Sequence, residues 1–313
     1  MVSPKITVIG VPSSAGAFAN GQEKAPMALR DAGLIDRLRD AGADVVDAGD
    51  SPVWRWRPDR ARPRAQNLEA VVEAVTATRT RVAGATRDGR IGLVLGGDCT
   101  VGIGTVAGVL DVHDSVGLIY FDLHADMNTP VSVIDGAIDW TGVAHMLALD
   151  GTEAGLAGAG ATVPMLGPDQ VVLFGHGLEQ ATPWEREQID QLGVTRVPVE
   201  MVREDPGAAG QRAMTLMRDR FDGYVVHLDV DVVDFTDAPL SENTGRNIGL
   251  SFGVAMAALR GLLSDDGLLA LTIAELNPDH AMADEGLLER FAAAVGDALG
   301  TADGYSAEPS TPS

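Results

Sequence analysis

Val116-Gly117-Leu118-Ile119-Tyr120-Phe121-Asp122-Leu123-His124-Ala125-Asp126 decides how the rest of this chain is read. Residues 116–121 form an apolar run of strand length, bounded by polar residues as a buried strand is. Asp122, His124 and Asp126 follow at two-residue spacing, which in extended backbone puts their side chains on one face. Two carboxylates and an imidazole at the carboxyl end of a strand form a donor set for a divalent cation such as Mn²⁺ or Zn²⁺. His227-Leu228-Asp229-Val230-Asp231 repeats the alternation after a strand-like stretch at 223–226. Four carboxylates from two strand ends need strong cationic compensation, which two ions sharing ligands would provide. An unbroken strand would also aim His227 at the face of Asp229 and Asp231. That leaves His227 as a ligand, as a partner behind a ligand, or as a neutral histidine packed under the sheet.

Working outward, further strands read at 5–11, 45–47, 91–95, 171–174 and 268–273. Helical spacing falls near Pro26, where Leu29, Leu34, Ile35 and Leu38 make a stripe, and again at 68–82, 139–149, 184–191, 213–220, 251–263 and 286–299. Continuously apolar strands alternating with helices predict an α/β fold, a central parallel sheet covered on both faces. Ligands bind beyond the carboxyl ends of such strands. Gly96-Gly97-Asp98-Cys99-Thr100 and Glu275-Leu276-Asn277-Pro278 lie at two more such ends. Residues 51–64 hold two tryptophans, three prolines and five arginines, and read as a surface excursion: a lid, an oligomer contact or a plain insertion.

No repeat or break divides the chain, so a single catalytic domain is expected over 1–300, followed by a polar, disordered tail at 301–313. With 45% hydrophobic residues among 313, material for a core is ample, and no apolar run reaches membrane-spanning length. A lone cysteine, Cys99, excludes an intramolecular disulfide, and the start lacks a signal-peptide layout; both fit a cytoplasmic setting. The net charge of −22 argues against nucleic acid or an anionic membrane as partner and is compatible with a cationic substrate.

Taken together, Gly96-Gly97-Asp98-Cys99-Thr100, Asp122-Leu123-His124-Ala125-Asp126, Asp229-Val230-Asp231 and Glu275-Leu276-Asn277-Pro278 resemble the ureohydrolase family of arginases and agmatinases. The resemblance implies a three-layer α/β/α fold, two divalent ions (Mn²⁺), and hydrolysis of a small guanidino substrate to urea and an amine, by a trimer or hexamer. By position it implies that Asp122 and Asp229 bridge the metals, that Cys99 and Asp126 complete one ion's shell, and that His124 and Asp231 complete the other's. Glu275 would hold the guanidinium, and Asn128, in Asp126-Met127-Asn128-Thr129-Pro130, the α-carboxylate of an amino-acid substrate. A water shared by two ions roughly 3.5–4 Å apart becomes a nucleophile near neutral pH, and Asp126 could pass its proton on.

Two positions depart from the family pattern. Cys99 stands where the family has a histidine, as a ligand or as a small buried hydrophobe. Asp139 stands where the family places a histidine, as a proton-transfer group or as a helix cap. The cysteine resembles a family member that hydrolyses N-hydroxyarginine and releases hydroxyurea. Outside that reading stand an inert guanidino-binding or assembly protein and, third, a metal-dependent deacylase of related fold. His113, His176 and His280 have no partners in sequence and read as surface or structural residues.

Overall fold

In the computed structural model of the chain, which describes residues 3–300, eight strands form one sheet. They are β1 (Lys5–Gly10), β2 (Asp44–Asp50), β3 (Ile91–Leu95), β4 (Gly117–Phe121), β5 (Val171–His176), β6 (Thr195–Pro198), β7 (Tyr224–Asp229) and β8 (Leu268–Ala274). Their order is β2-β1-β3-β8-β7-β4-β5-β6, and every pairing is parallel. The apolar runs explain this, because strands buried on both faces have no polar side to give to water. Leu93, Leu95, Ile119, Phe121, Val226 and Leu228 point into one core layer, under the helices Ala25–Asp31, Leu34–Asp40, Pro206–Arg218, Phe252–Leu262 and Leu287–Gly300. Val94, Leu118, Tyr120 and Val225 point into the other, under Leu68–Arg87, Val101–Leu110 and Pro183–Leu192. The three layers are those expected from the sequence.

The topology positions the site. β3 and β4 follow each other in sequence but stand apart in the sheet, with β8 and β7 between them. Leu95 pairs with Ile273, Ile273 with Leu228, and Leu228 with Phe121. These four residues form a level row across four strands. One residue past that row the chain reaches Gly96, Ala274, Asp229 and Asp122, so the polar motifs emerge side by side.

Local detail departs from the sequence reading in several places. The stripe from Leu29 to Leu38 belongs to two helices, because Gly33 between them takes φ 83°, a left-handed conformation that stops the first. Residues 139–149 hold only a single turn at Asp139–Thr141 and a short helix at Gly142–Met146. β6 and the helix Val199–Glu204 escape a pattern reading, since Thr-Arg-Val-Pro is short and ends in a proline that only a sheet edge tolerates. The strand also does not continue through the first motif. β4 stops at Phe121, and Asp126 has φ 49°, so 122–126 is a looped segment rather than an extended face. Likewise Asp231 lies in a tight turn, Val230–Val232, and the unbroken strand expected from His227 to Asp231 is not formed. The tail at 301–313, read as disordered, lies outside the described residues. Among the described residues no helix is long and apolar enough to cross a membrane.

Gly97 shows why the loop after β3 needs its glycines. A Cβ there would stand 1.6 Å from the Ser13 carbonyl oxygen, a backbone atom that cannot swing away. Gly84, inside the helix Leu68–Arg87, has nothing within 4 Å of the same added atom. Gly97→Ala is therefore expected to destabilise by about 3 kcal/mol or more, as overpacking against rigid neighbours does. Gly84→Ala should stabilise by roughly 0.5–1 kcal/mol through helix propensity. Denaturant midpoints of the two variants check both signs.

Candidate metal centre

The loop after β3 is tied down before any ligand is placed. Asp98 is fully buried and accepts from Ser13 Oγ at 2.8 Å, from the Gly16 N–H at 3.1 Å, and from the Thr100 N–H and hydroxyl. These bonds satisfy its charge inside the protein, so Asp98 is an anchor between two loops. Cys99 is held beside it, with its N–H donating to Glu275 Oε1 at 2.9 Å. Gln22 Nε2 donates to the other oxygen of Glu275 at 3.0 Å. Glu275 itself has φ 63°, an uncommon conformation for a side-chain-bearing residue that these two donors help hold.

Two groups of ligand atoms converge. Cys99, Asp122 and Asp126 form one, and Asp122, His124 and Asp231 the other; within each, the atoms lie within 4.8 Å of one another. Asp122 is common to both. Asp229 belongs to neither group: it accepts from Cys99 Sγ at 3.1 Å through Oδ2 and from the Asp231 N–H at 2.7 Å through Oδ1. Asp122 Oδ2 and Asp231 Oδ1 are buried without a hydrogen-bond partner.

The electrostatics follow from burial. Burial and then the Asp231 charge push the Asp122 carboxyl up to about 7. Burial and neighbouring aspartates raise Asp126 and Asp229 well above the ordinary carboxylate range. Burial alone would lower His124, but Asp231, at 3.0 Å from Nδ1, and Asp122, at 3.4 Å, raise it overall. Asp231 gains in turn: burial would raise it, but the His124 charge together with hydrogen bonds from His124 and Asn243 holds it below the usual value. Orphaned carboxylate oxygens, raised proton affinities and a protonated imidazole wedged between two carboxylates together mark a place built for cations. The donor sets fit divalent ions.

His227 lies behind this centre. It is buried, stacked flat on Tyr120 at 4.4 Å between ring centroids, and pairs with it across β4 and β7. Its Nε2 is 3.1 Å from Cys99 Sγ, while Nδ1 has no partner. Leaving an acceptor unpaired costs less than leaving an N–H unpaired, so the proton belongs on Nε2 and points at sulfur. Burial lowers this histidine to about 3, keeping it neutral. Burial and then Asp229 raise the Cys99 thiol well above its ordinary value while no cation is near. Tyr120 completes the support by donating its hydroxyl to Asp126 Oδ2.

A cavity of about 260 Å³ opens over the centre. Cys99, His124, Asp126, Asp229, Asp231 and Glu275 line it, as do Phe18, Asp135, Asp139, Trp140 and Asn243. Asp139 is thus in the cavity wall and does not cap a helix; its Oδ1 accepts only its neighbour's N–H, from Trp140 at 2.9 Å. Asn128 is elsewhere. It is fully buried, accepts from Thr182 Oγ1 at 2.9 Å and Ser132 Oγ at 3.3 Å, and does not line the cavity. His176 is buried and accepts from Arg196 Nε at 3.2 Å, and His280 bonds the Ser241 carbonyl at 2.8 Å.

Sequence reasoning missed Tyr120, Gln22, Asn243, Phe18 and Asp135. Only Tyr120 carried a signal, as the one polar tip in an otherwise apolar strand. Gln22 reaches Glu275 across 253 positions of sequence, and Asn243 donates to Asp231 from a loop, so neither shows a local pattern.

Comparison with known proteins agrees with this geometry. The Arginase family profile matches residues 4–297. The arginase of Bacillus caldovelox is 30% identical over 288 residues, covering 87% of this chain and 91% of that protein. Human arginase-1 is 30% identical over 280 residues, covering 88% and 86%. The structure of the Bacillus caldovelox arginase superposes with a TM-score of 0.85 at 28% identity, covering 96% of this chain and 99% of that one. A Trypanosoma cruzi formiminoglutamase shares the fold at 20% identity and a TM-score of 0.72. With its fold, its four converging motifs and its whole-length similarity in accord, the chain belongs to the arginase family of ureohydrolases, which are binuclear metal-dependent amidinohydrolases.

Proposed function

We propose that this chain hydrolyses the guanidino group of an arginine-like substrate to urea and an amine, using two divalent ions, Mn²⁺ in the first instance. The observation that carries the reading is Asp122, whose carboxylate is shared by two convergent ligand groups and keeps one oxygen free. Cys99, Asp122 and Asp126 would hold one ion, and Asp122, His124 and Asp231 the other. Asp229, which accepts from the Cys99 thiol, would be free to serve as a further ligand when that sulfur is deprotonated. Two such ions supply Lewis acidity and a water activated near neutral pH.

The chain's own residues do the rest. Glu275, oriented by Gln22 and the Cys99 N–H, would pair with the guanidinium and set its carbon in the cavity. Asp126, backed by the Tyr120 hydroxyl, would take the water's proton. Asp139 would return a proton to the leaving nitrogen, since burial and then the Asp98 charge raise its carboxyl well above the ordinary range. That shift removes the need for an N-hydroxylated, more easily expelled nitrogen. His227 would direct its N–H at the Cys99 sulfur, a contact that favours thiolate and so favours ligation. A thiolate also makes the site softer than a purely oxygen and nitrogen set. A homo-oligomer, trimer or hexamer, and a cytoplasmic setting belong to the same reading.

Three outcomes test it. Asp122→Ala should lose both ions and all activity together, because the remaining cations would repel without their shared anion; full metal content by mass spectrometry with normal turnover would sink the binuclear reading. Metal uptake should release protons, more of them at pH 6 than at pH 8, since the Asp122 carboxyl sits at about 7 and is increasingly protonated below that. Calorimetry in buffers of different ionisation enthalpy reads this directly, and a proton count independent of pH would contradict it. Glu275→Gln should keep both ions yet reduce kcat/KM by roughly 100-fold or more, the scale expected when a charged contact to the reacting group is lost. It should also destabilise by about 1–3 kcal/mol, because an amide turns a donor toward Gln22 or the Cys99 N–H.

A further inference from the structure

The two ligand groups that share Asp122 are not chemically alike. One adds sulfur, from Cys99, to the carboxylates of Asp122 and Asp126; the other adds imidazole nitrogen, from His124, to those of Asp122 and Asp231. They differ in depth as well. Cys99 is 2% exposed and Asp126 3%, whereas the His124 side chain is 24% exposed. The sulfur group is the drier of the two.

A buried cysteine is by itself an ordinary small apolar residue. Two further observations set this one apart. Its sulfur is engaged on two sides, donating to Asp229 Oδ2 at 3.1 Å and facing His227 Nε2 at 3.1 Å. In the same group, Asp122 Oδ2 is buried and has no hydrogen-bond partner, so a second donor stands unsatisfied. Packing aims His227 at the sulfur. Its ring lies flat on Tyr120, with 2° between the planes, and Gly102 leaves the space that Nδ1 fills. The ring proton on Nε2 then points at Cys99, where a hydrogen bond disperses the charge of a metal-bound thiolate. Thiolate is a soft donor and Mn²⁺ stands at the weak end of the divalent series. Sulfur therefore favours Zn²⁺ or Co²⁺ over Mn²⁺ more strongly than a set of carboxylates and imidazole does.

We infer that the centre is mixed-metal: the group of Cys99, Asp122 and Asp126 takes a thiophilic ion, Zn²⁺ or Co²⁺, through a metal–sulfur bond that His227 orients, and the group of Asp122, His124 and Asp231 takes Mn²⁺. Resting on the binuclear reading above, this replaces one of its two Mn²⁺ ions. Binding exchanges the S–H bond of Cys99 for the metal–sulfur bond and releases the proton to solvent through the cavity that Cys99 lines. His227 is a positioning residue, because it acts through the sulfur.

The test reads metal uptake rather than turnover. The full chain is stripped with a chelator and titrated with Co²⁺. The first equivalent should bring a near-ultraviolet sulfur-to-cobalt charge-transfer band to full height, and the second should add only ligand-field absorption. Offered one equivalent of Zn²⁺ and two of Mn²⁺, the chain should retain one ion of each by elemental mass spectrometry. Cys99→Ser should abolish the band and the preference for zinc at that group. His227→Phe keeps a ring on Tyr120 but has no N–H. It should keep the band, move it to longer wavelength as the sulfur loses its hydrogen bond, and weaken Zn²⁺ binding by about tenfold or more. Two bound ions without a sulfur band, or two Mn²⁺ ions retained while Zn²⁺ stays free, overturn the inference and leave the binuclear reading standing. A band unmoved by His227→Phe overturns the role of His227. A single bound ion overturns the binuclear reading instead, and the band on that ion decides whether sulfur holds it. The wild-type titration decides even where a variant fails to fold.

Discussion

Negative charge buried where four parallel strands end is the constraint to which the rest of this structure answers. Asp122, Asp126, Asp229, Asp231 and Glu275 are each less than a tenth exposed, and all but Asp122 line one small cavity. Taking an ion out of water costs several kcal/mol even after relaxation, and like charges add to that. Without cations the chain neutralises itself: carboxyls rise toward protonation, and His124 takes a proton between Asp122 and Asp231. Such a site is destabilising when empty and stabilising when filled. A cation that binds only the folded state returns its binding free energy as stability. Metal binding and folding are therefore expected to be coupled here, and the most buried carboxylates contribute most to that coupling.

Holding these charges apart from one another by the right few ångströms requires a rigid frame. The level row Leu95, Ile273, Leu228 and Phe121 supplies it, since parallel register fixes where each strand releases its chain. Beyond the row, close packing takes over. The Gly97 backbone lies against Ser13, and the missing side chain of Gly102 leaves room for His227, whose Nδ1 would be 2.5 Å from a Cβ there. His227 and Tyr120 then form a stacked layer beneath the first ligand group that ties two of its members together, Cys99 through its sulfur and Asp126 through the tyrosine hydroxyl. A change in either ring moves a ligand, because a close-packed interior transmits displacement rather than absorbing it.

Much of the fold was legible in the sequence because buried parallel strands are apolar runs, and six of the eight strands coincide with one. The other two are the sheet edges, where little burial is required: β2 is mostly exposed and shows only its Val45-Val46 pair, and β6 is four residues ending in proline. At the site, residue types were legible but their geometry was not. Two-residue spacing suggested an extended face at 122–126 and at 227–231, yet both segments turn, with Asp126 left-handed and Asp231 in a tight turn. The ligand atoms converge by loop conformation, and loops are set by distant partners that leave no periodic trace. Gln22 on Glu275 and the four bonds around Asp98 are such partners. Asn128 is placed in the same way, its oxygen held by Thr182 from 54 positions away while its Nδ2 stays buried without a partner.

The arginine-rich excursion at 51–64 takes on a role that composition left open. It runs across both loops that form the cavity wall. Trp56 N–H donates to Ser14 Oγ, and Arg55 pairs with Glu23 at 3.2 Å, beside Gln22. At its far end Arg64 Nη1 reaches the carbonyls of Pro130, Val131 and Val133, and Gln66 Nε2 donates to the Asp135 carbonyl. The 130–138 segment has no helix or strand of its own, so its carbonyls have no ladder to satisfy them. A guanidinium offers several N–H donors in a fixed fork, and one well-placed arginine can serve carbonyls that lysine would reach less well. Individually such exposed contacts contribute little to global stability. Their effect is local: they tie the segment carrying Asp135 to the excursion. The excursion thus braces the part of the cavity wall that carries Asp135, while the sheet register places the buried carboxylates.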